Sequence, residues 1–223
     1  MTAAGVQSSP SGAVPAPAAA WPAVAWLRLA RLYAVSRRVP AALGLLAALG
    51  CLLWAALYWR WNIAGGPAAQ QFFSLAIETG AAAVIAVTTY GPFGEPERAT
   101  GRWLPWLRLA AALALTAAAF GALAAGATGG TLPGGTLALL RDLAGLTGTG
   151  LLAAAVLGGA FGWAGPMAYL LITETALSGA PATPWVWPAR PPHDLGAALC
   201  ASAVFAAGIV AVTVFGARDP GRR

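Results

Sequence analysis

The chain is dominated by long apolar runs that contain almost no charge. Hydrophobic residues make up 59% of its 223 residues and charged residues only 9%, whereas a soluble globular domain carries roughly 25% charged residues. A soluble fold of this size has too little interior to bury so much apolar surface, but a lipid bilayer accepts it. The sequence therefore predicts an all-α, polytopic transmembrane helical bundle.

Six apolar runs are separated by clusters of Gly, Pro, Trp and Arg, and we predict one span from each. A helix needs about 20 residues to cross the roughly 30 Å hydrocarbon core, and only the fifth run falls well short. Residues 137–179 are too many for one span, and Pro166, which lacks a helical donor, marks the break. The predicted spans cover 40–58, 70–90, 104–126, 143–162, 167–180 and 195–216.

The residues around the spans have their own character. Residues 1–20 are Ala-, Pro-, Ser- and Gly-rich without charge, which predicts a disordered tail. In residues 21–38, apolar side chains gather on one helical face and arginines on the other, which predicts an amphipathic helix lying in the membrane interface. We take residues 21–218 as a single membrane domain and 219–223 as a cytoplasmic tail.

The basic residues, which are all arginine, predict the orientation. With six spans both termini lie on one side together with ten of the thirteen arginines, and only Arg60, Arg141 and Arg190 lie in connections on the other side. The positive-inside rule places the larger group in the cytoplasm. We therefore expect cytoplasmic termini in the cell membrane. The net charge of +6 is then explained without a nucleic-acid partner.

Several enzyme classes are excluded by composition. The chain contains no lysine, so it has no P-loop for nucleotide hydrolysis and no Schiff-base lysine. Its single histidine, His193, cannot build a multi-His metal site. Ser178 lacks the context of a nucleophile elbow, and His193 and Asp194 are sequence neighbours among prolines. We expect no catalytic residues, no metal and no cofactor.

Two acidic residues fall within predicted spans. A carboxylate in hydrocarbon is costly, so Glu78 and Glu174 should face the bundle interior, a cavity or a partner. They either line a translocation path or bind a proton, or they make only structural hydrogen bonds to neighbouring threonines. The candidate polar residues are Glu78, Thr79, Thr173, Glu174 and Thr175.

The connection between spans two and three, GPFGEPERATGRW, is unusually charged for this chain. Such a short charged loop is a candidate docking element for a soluble partner, although it is also what a solvated connector with positive-inside arginines looks like. The candidate coupling residues are Glu95, Pro96, Glu97, Arg98 and Arg102. Small residues four apart, Gly121 with Ala125 and Gly158 with Gly162, are typical of close helix packing.

The order of these parts resembles the six-span membrane subunits (permeases) of bacterial ABC-type exporters of the ABCG-like class. The shared features are the helix at 21–38, the charged loop at 95–102, a glycine-rich fourth span, a short fifth span and an outer segment at 181–194. The segments GEPERATGRWLPWLRLA and LLRDLAGLTGTGLLAAAVLGGAFGWAGPMAYLL carry the likeness. The resemblance covers about residues 21–218.

That resemblance implies a division of labour. A second copy of this chain or a homologous permease would complete the translocation path, and separate cytoplasmic ATPase subunits would hydrolyse ATP. The loop at 95–102 would then couple the ATPase to the spans.

Two alternatives from other classes stay open. One is a proton- or ion-coupled secondary transporter that uses Glu78 and Glu174. The other is a non-transporting membrane scaffold or immunity protein.

Overall fold

The computed structural model describes residues 38–58, 66–88, 104–132, 134–177 and 184–215. Within these ranges the chain forms α-helices and short 3-10 turns and no β-strand, which confirms the predicted all-helical fold. The α-helices are α1 (Val39–Tyr58), α2 (Gly66–Thr88), α3 (Leu104–Gly126), α4 (Gly135–Leu157), α5 (Ala164–Leu177) and α6 (Leu195–Phe215). The predicted interfacial helix at 21–38, apart from its last residue, the charged loop at 95–102 and both tails lie outside the described residues.

Five of these helices, α1, α2, α3, α4 and α6, are long and apolar enough to cross a membrane. They give the chain the character of a multi-pass membrane protein. Helix α5 has only 14 residues, which at 1.5 Å per residue makes it about 21 Å long.

Helix α4 is the central element of the bundle. It packs against α2, α3, α5 and α6, and 67% of its spanning residues are buried, compared with 22% for α1 and 17% for α6. Arg141, Asp142 and Thr147 of α4 lie buried inside the bundle, whereas α1 and α6 present apolar side chains to the surroundings.

Glycines bring the helix backbones into direct contact. A Cβ atom on Gly148 of α4 would lie 2.6 Å from Cα of Phe205 on α6, and one on Gly208 would lie 2.6 Å from the carbonyl oxygen of Gly148. Such closeness is only possible without side chains. The expectation for α3 was wrong in detail, because nothing lies within 4 Å of a Cβ on Gly121 and Ala125 is exposed.

Helix α4 differs from the predicted fourth span at both ends. It begins at Gly135 rather than at residue 143, so Arg141 lies within a helix and not in a connection as predicted. It ends at Leu157, and the following Gly158 has φ +107°, which L side chains rarely adopt. Pro166 lies in the first turn of α5, where its missing N–H costs no helical hydrogen bond.

The N-terminal halves of α2 and α4 and the beginning of α6 lie at the same end of the bundle. Residues near the beginnings of α2 and α4 line one cavity together with residues 188–192, and α6 begins directly afterwards at Leu195. The connecting segment 184–194, which we call the strap, therefore covers this end.

Candidate functional site

An open cavity of about 360 Å³ lies between α2, α4 and the strap. Its lining combines apolar and polar groups, although the helices around it are almost entirely apolar. The polar side chains that line it are Gln71, Ser74, Glu78, Arg141, Asp142 and Arg190.

Arg141 and Asp142 form an ion pair on the first half of α4. Arg141 Nε donates to Asp142 Oδ1 at 2.9 Å, and the two side chains are only 5% and 11% exposed. The rest of the guanidinium is bonded to the strap, because Nη1 donates to the carbonyl oxygen of Pro191 at 2.9 Å and Nη2 donates to that of Arg190 at 3.3 Å. Pairing and hydrogen bonding together make burial of these charges tolerable.

A second ion pair lies where the strap meets α6. Arg190 Nη2 lies 2.8 Å from Asp194 Oδ2, and Asp194 Oδ1 accepts a 3.0 Å hydrogen bond from the backbone N–H of Ala197. Asp194 therefore caps the N-terminus of α6. The Ala197 hydrogen bond, assisted by Arg190, holds the pKa of Asp194 below its usual range.

Glu78 lies on α2 and is only 4% exposed. Its Oε1 accepts a long hydrogen bond of 3.4 Å from Ser74 Oγ, one turn earlier. Its Oε2 has no hydrogen-bond partner among the described residues. Burial without a full set of donors makes Glu78 the least satisfied acidic group of the cavity lining.

The strap is fixed to three helices. Gln71 Nε2 of α2 donates to the carbonyl oxygen of Pro188 at 3.1 Å. Tyr169 of α5 donates through its hydroxyl to the carbonyl oxygen of Trp185 at 2.8 Å and stacks on Trp187 with ring centroids 4.3 Å apart. The Trp187 ring also fills the space where a side chain at Gly145 of α4 would stand. The strap is thus an integral wall of the cavity.

The predicted polar residues end up in different environments. Glu78 lines the cavity, whereas Thr79, Thr173, Glu174 and Thr175 do not. Thr79 and Thr173 are fully buried, Glu174 is half-buried and Thr175 is exposed. The Thr79 and Thr175 hydroxyls donate to backbone carbonyls of their own helices. Of the two acidic candidates, therefore, only Glu78 contributes to this cavity.

Five polar residues of the cavity were not predicted from the sequence: Arg190, Gln71, Ser74, Arg141 and Asp142. A usable signal for the last two was the adjacent Arg and Asp within the otherwise apolar LALLRDLAGL, since opposite charges side by side inside an apolar run indicate a neutralised buried pair. Arg190 lines the cavity only because the strap folds over it, so no sequence pattern indicated its position.

The groups that line the cavity are suited to binding a charged or polar ligand. It offers two carboxylates, two guanidinium groups, an amide and a hydroxyl, and in the described part of the chain no three His, Cys, Asp or Glu side chains are grouped to hold a metal. No family model, curated protein or solved structure matches the chain.

Proposed function

We propose that this chain is the six-span membrane subunit of an ATP-driven exporter in the cell membrane, with both termini in the cytoplasm. The observation that carries the proposal is the open polar cavity of about 360 Å³ within an otherwise apolar helical bundle. In this arrangement α5 is the short fifth of the six crossings, the strap belongs to the outer segment that follows it, and the cavity forms part of the translocation path.

An open cavity favours transport over a purely structural role. Ionisable groups inside membrane segments are costly and typically face substrate or ion pathways. A scaffold is stabilised by packing its helices together, and it gains nothing from an opening lined by Glu78, Arg141 and Asp142.

The proposed energy source is ATP hydrolysis by another chain. Without lysine this protein cannot form a P-loop, so a separate cytoplasmic ATPase subunit is proposed, together with a second permease copy or a homologous permease. The charged loop with Glu95, Pro96, Glu97, Arg98 and Arg102 is proposed as the coupling element.

One observation favours a second candidate, a proton- or ion-coupled secondary transporter. Glu78 is a buried carboxylate with an unbonded oxygen beside an open cavity, and such a group is suited to carrying a proton or an ion. Glu174, the other acid assigned to this mechanism, lies outside the cavity.

The test is purification of the tagged chain from its host in mild detergent, followed by mass spectrometry and transport assays in proteoliposomes. We expect a P-loop ATPase in stoichiometric amount and flux that requires ATP. Reversing the loop charges (Glu97→Arg with Arg98→Glu) should abolish ATPase association, whereas Arg223→Glu in the tail serves as the matched control.

Other outcomes point to the alternatives. Flux without ATP that follows an imposed pH gradient and disappears in Glu78→Gln would establish the secondary transporter. Stable assembly with another membrane protein and no flux under either condition would establish the scaffold or immunity protein.

A further inference from the structure

The two acidic side chains that line the cavity, Glu78 and Asp142, are not equally paired. Arg141 is bonded to Asp142 and to two carbonyl oxygens of the strap, and Arg190 is bonded to Asp194. Among the described residues no ion pair joins Glu78 to either arginine. Glu78 is therefore the one acidic side chain of the lining that forms no ion pair with the described residues.

The missing interaction is localised at one atom. Glu78 is 4% exposed, and while its Oε1 accepts the Ser74 hydrogen bond, its Oε2 has no partner in the described part of the chain. A buried acceptor that lacks a donor is destabilising, and more so when it is charged. A positively charged donor that reached this oxygen from the cavity would remove the destabilisation.

The size of the cavity distinguishes among cations. About 360 Å³ is at the small end of the roughly 300–1,000 Å³ typical of small-molecule sites, whereas a proton needs no such space. Divalent cations favour several oxygen ligands, and in the described part of the chain no three His, Cys, Asp or Glu side chains are grouped to supply them. The apolar part of the lining, formed by Leu75, Ala138 and three proline rings, suits a short hydrocarbon chain.

We infer that the cavity binds the ammonium group of a small organic cation, with Glu78 as its counter-charge. An ammonium N–H donates to the carboxylate of Glu78, and the hydrocarbon part of the ligand rests on Leu75, Ala138 and the proline rings. The Arg141–Asp142 pair stays intact and holds the strap over the site. This inference rests on the proposed function, because it names the substrate class of the proposed translocation path.

Binding is tested on the full chain in lipid nanodiscs by thermal unfolding. The probe is n-butylammonium chloride, with n-butanol as the uncharged analogue and sodium chloride as the salt control. A ligand that binds only the folded state raises the melting temperature in a saturable way. We expect this rise for n-butylammonium and not for butanol or for sodium at equal concentration. An equal rise with sodium chloride would overturn the inference in favour of an inorganic cation or a salt effect.

Two variants test whether Glu78 is the counter-charge of the bound ammonium group. Glu78→Gln keeps the shape and the Ser74 hydrogen bond but removes the charge, and should weaken n-butylammonium binding at least about tenfold. The matched control is Glu174→Gln, which removes a half-buried acid outside the cavity and should leave binding unchanged. Undiminished binding in Glu78→Gln would overturn the inference.

A measurement on the unaltered chain covers the case in which Glu78→Gln fails to fold. A hydrophobic carbodiimide converts accessible carboxylic acids in membrane proteins to N-acylureas, and mass spectrometry locates them. We expect labelling at Glu78 that n-butylammonium suppresses without forming the n-butylamide of Glu78, and that butanol does not suppress. Labelling unaffected by the amine would contradict the inference.

The outcomes also separate the inference from the proposed function. Saturable, Glu78-dependent binding without any ATP-driven flux would leave the cation site standing and remove the exporter. ATP-driven flux that persists in Glu78→Gln, with no amine binding, would leave the exporter standing and remove the cation site.

Discussion

Arg141 Nη1 of α4 donates a 2.9 Å hydrogen bond to the carbonyl oxygen of Pro191 in the strap, although 50 positions separate the two residues in the chain. Through this bond and the bond from Nη2 to Arg190, a single side chain connects the central helix to the wall of the cavity. The same guanidinium balances the charge of Asp142.

Replacing Arg141 alone should therefore be costly. Arg141→Ala leaves Asp142 buried without its partner and frees two strap carbonyls, so we expect a loss of about 3–5 kcal/mol in the free energy of unfolding. The measurement is unfolding by SDS titration in mixed detergent micelles.

The double variant Arg141→Met with Asp142→Leu is the matched control. It removes both charges while keeping apolar volume, and should cost clearly less than Arg141→Ala. A double variant at least as unstable as the single one would mean that the strap hydrogen bonds, and not the unpaired carboxylate, dominate the loss.

Because α4 and α6 are in backbone contact at Gly148, we expect a larger side chain at this position to destabilise the protein strongly. Gly148→Val places a Cβ where Phe205 Cα lies 2.6 Å away, so the helices must separate, at a cost of about 1–3 kcal/mol or more. Thermal unfolding in nanodiscs measures the effect.

Gly121→Ala provides the comparison on α3. Nothing lies within 4 Å of its Cβ, and alanine is favoured over glycine in a helix by up to about 1 kcal/mol. We expect a neutral or slightly stabilising change, and equal destabilisation at both glycines would contradict the packing described for α4 and α6.

The aromatic contact between Tyr169 and Trp187 should hold the strap in place. Tyr169→Phe removes the hydrogen bond to Trp185 but keeps the stacking, at a cost of about 1 kcal/mol, whereas Trp187→Ala empties a buried site at a cost of about 3–5 kcal/mol. Hydrogen exchange of residues 184–194 should accelerate modestly in the first variant and greatly in the second. Unchanged exchange in Trp187→Ala would show that the strap is held by its polar contacts alone.

The lowered pKa of Asp194 in the folded state should make the stability of the protein depend on pH. Its pKa is lowered in the folded state by the Ala197 N–H and Arg190, while the unfolded value is about 3.9. Its contribution is complete above the unfolded pKa and is lost as the pH falls through the lower folded pKa.

Asp194→Asn isolates this effect, because asparagine also caps helices but does not titrate. The difference in melting temperature between the unaltered chain and Asp194→Asn should shrink below about pH 4. A difference that stays constant through the acid range would show that Asp194 does not stabilise α6 through its charge.

The hydropathy of the sequence was sufficient to predict the positions of α1, α3 and α6. The predicted runs at 40–58, 104–126 and 195–216 nearly coincide with α1, α3 and α6, because a lipid-facing helix must be apolar along its whole length. Hydropathy placed the start of the fourth span at residue 143, too late for α4. Two adjacent charged residues, Arg141 and Asp142, are typical of a connection between spans, and the sequence alone does not show that they pair with each other.

The cavity could not be predicted from the sequence, because its residues come together only in the three-dimensional fold. Gln71, Glu78, Arg141 and Arg190 are spread over about half of the sequence and meet only because the strap folds back over the N-terminal halves of α2 and α4. No local pattern specifies that return, which depends on Trp187 packing against the bare backbone of Gly145. Glu78 was identified because a carboxylate inside an apolar run is conspicuous by itself.

The brevity of α5 has an electrical consequence. At 14 residues it covers about 21 Å, roughly two-thirds of the hydrocarbon thickness, and its Tyr169 is hydrogen-bonded to the strap that forms a wall of the open cavity. Water that enters the cavity carries the potential of its own side inward, so a voltage across the membrane falls over a shorter distance here than through the surrounding lipid. A charged ligand at Glu78 would therefore sit part of the way down that voltage drop.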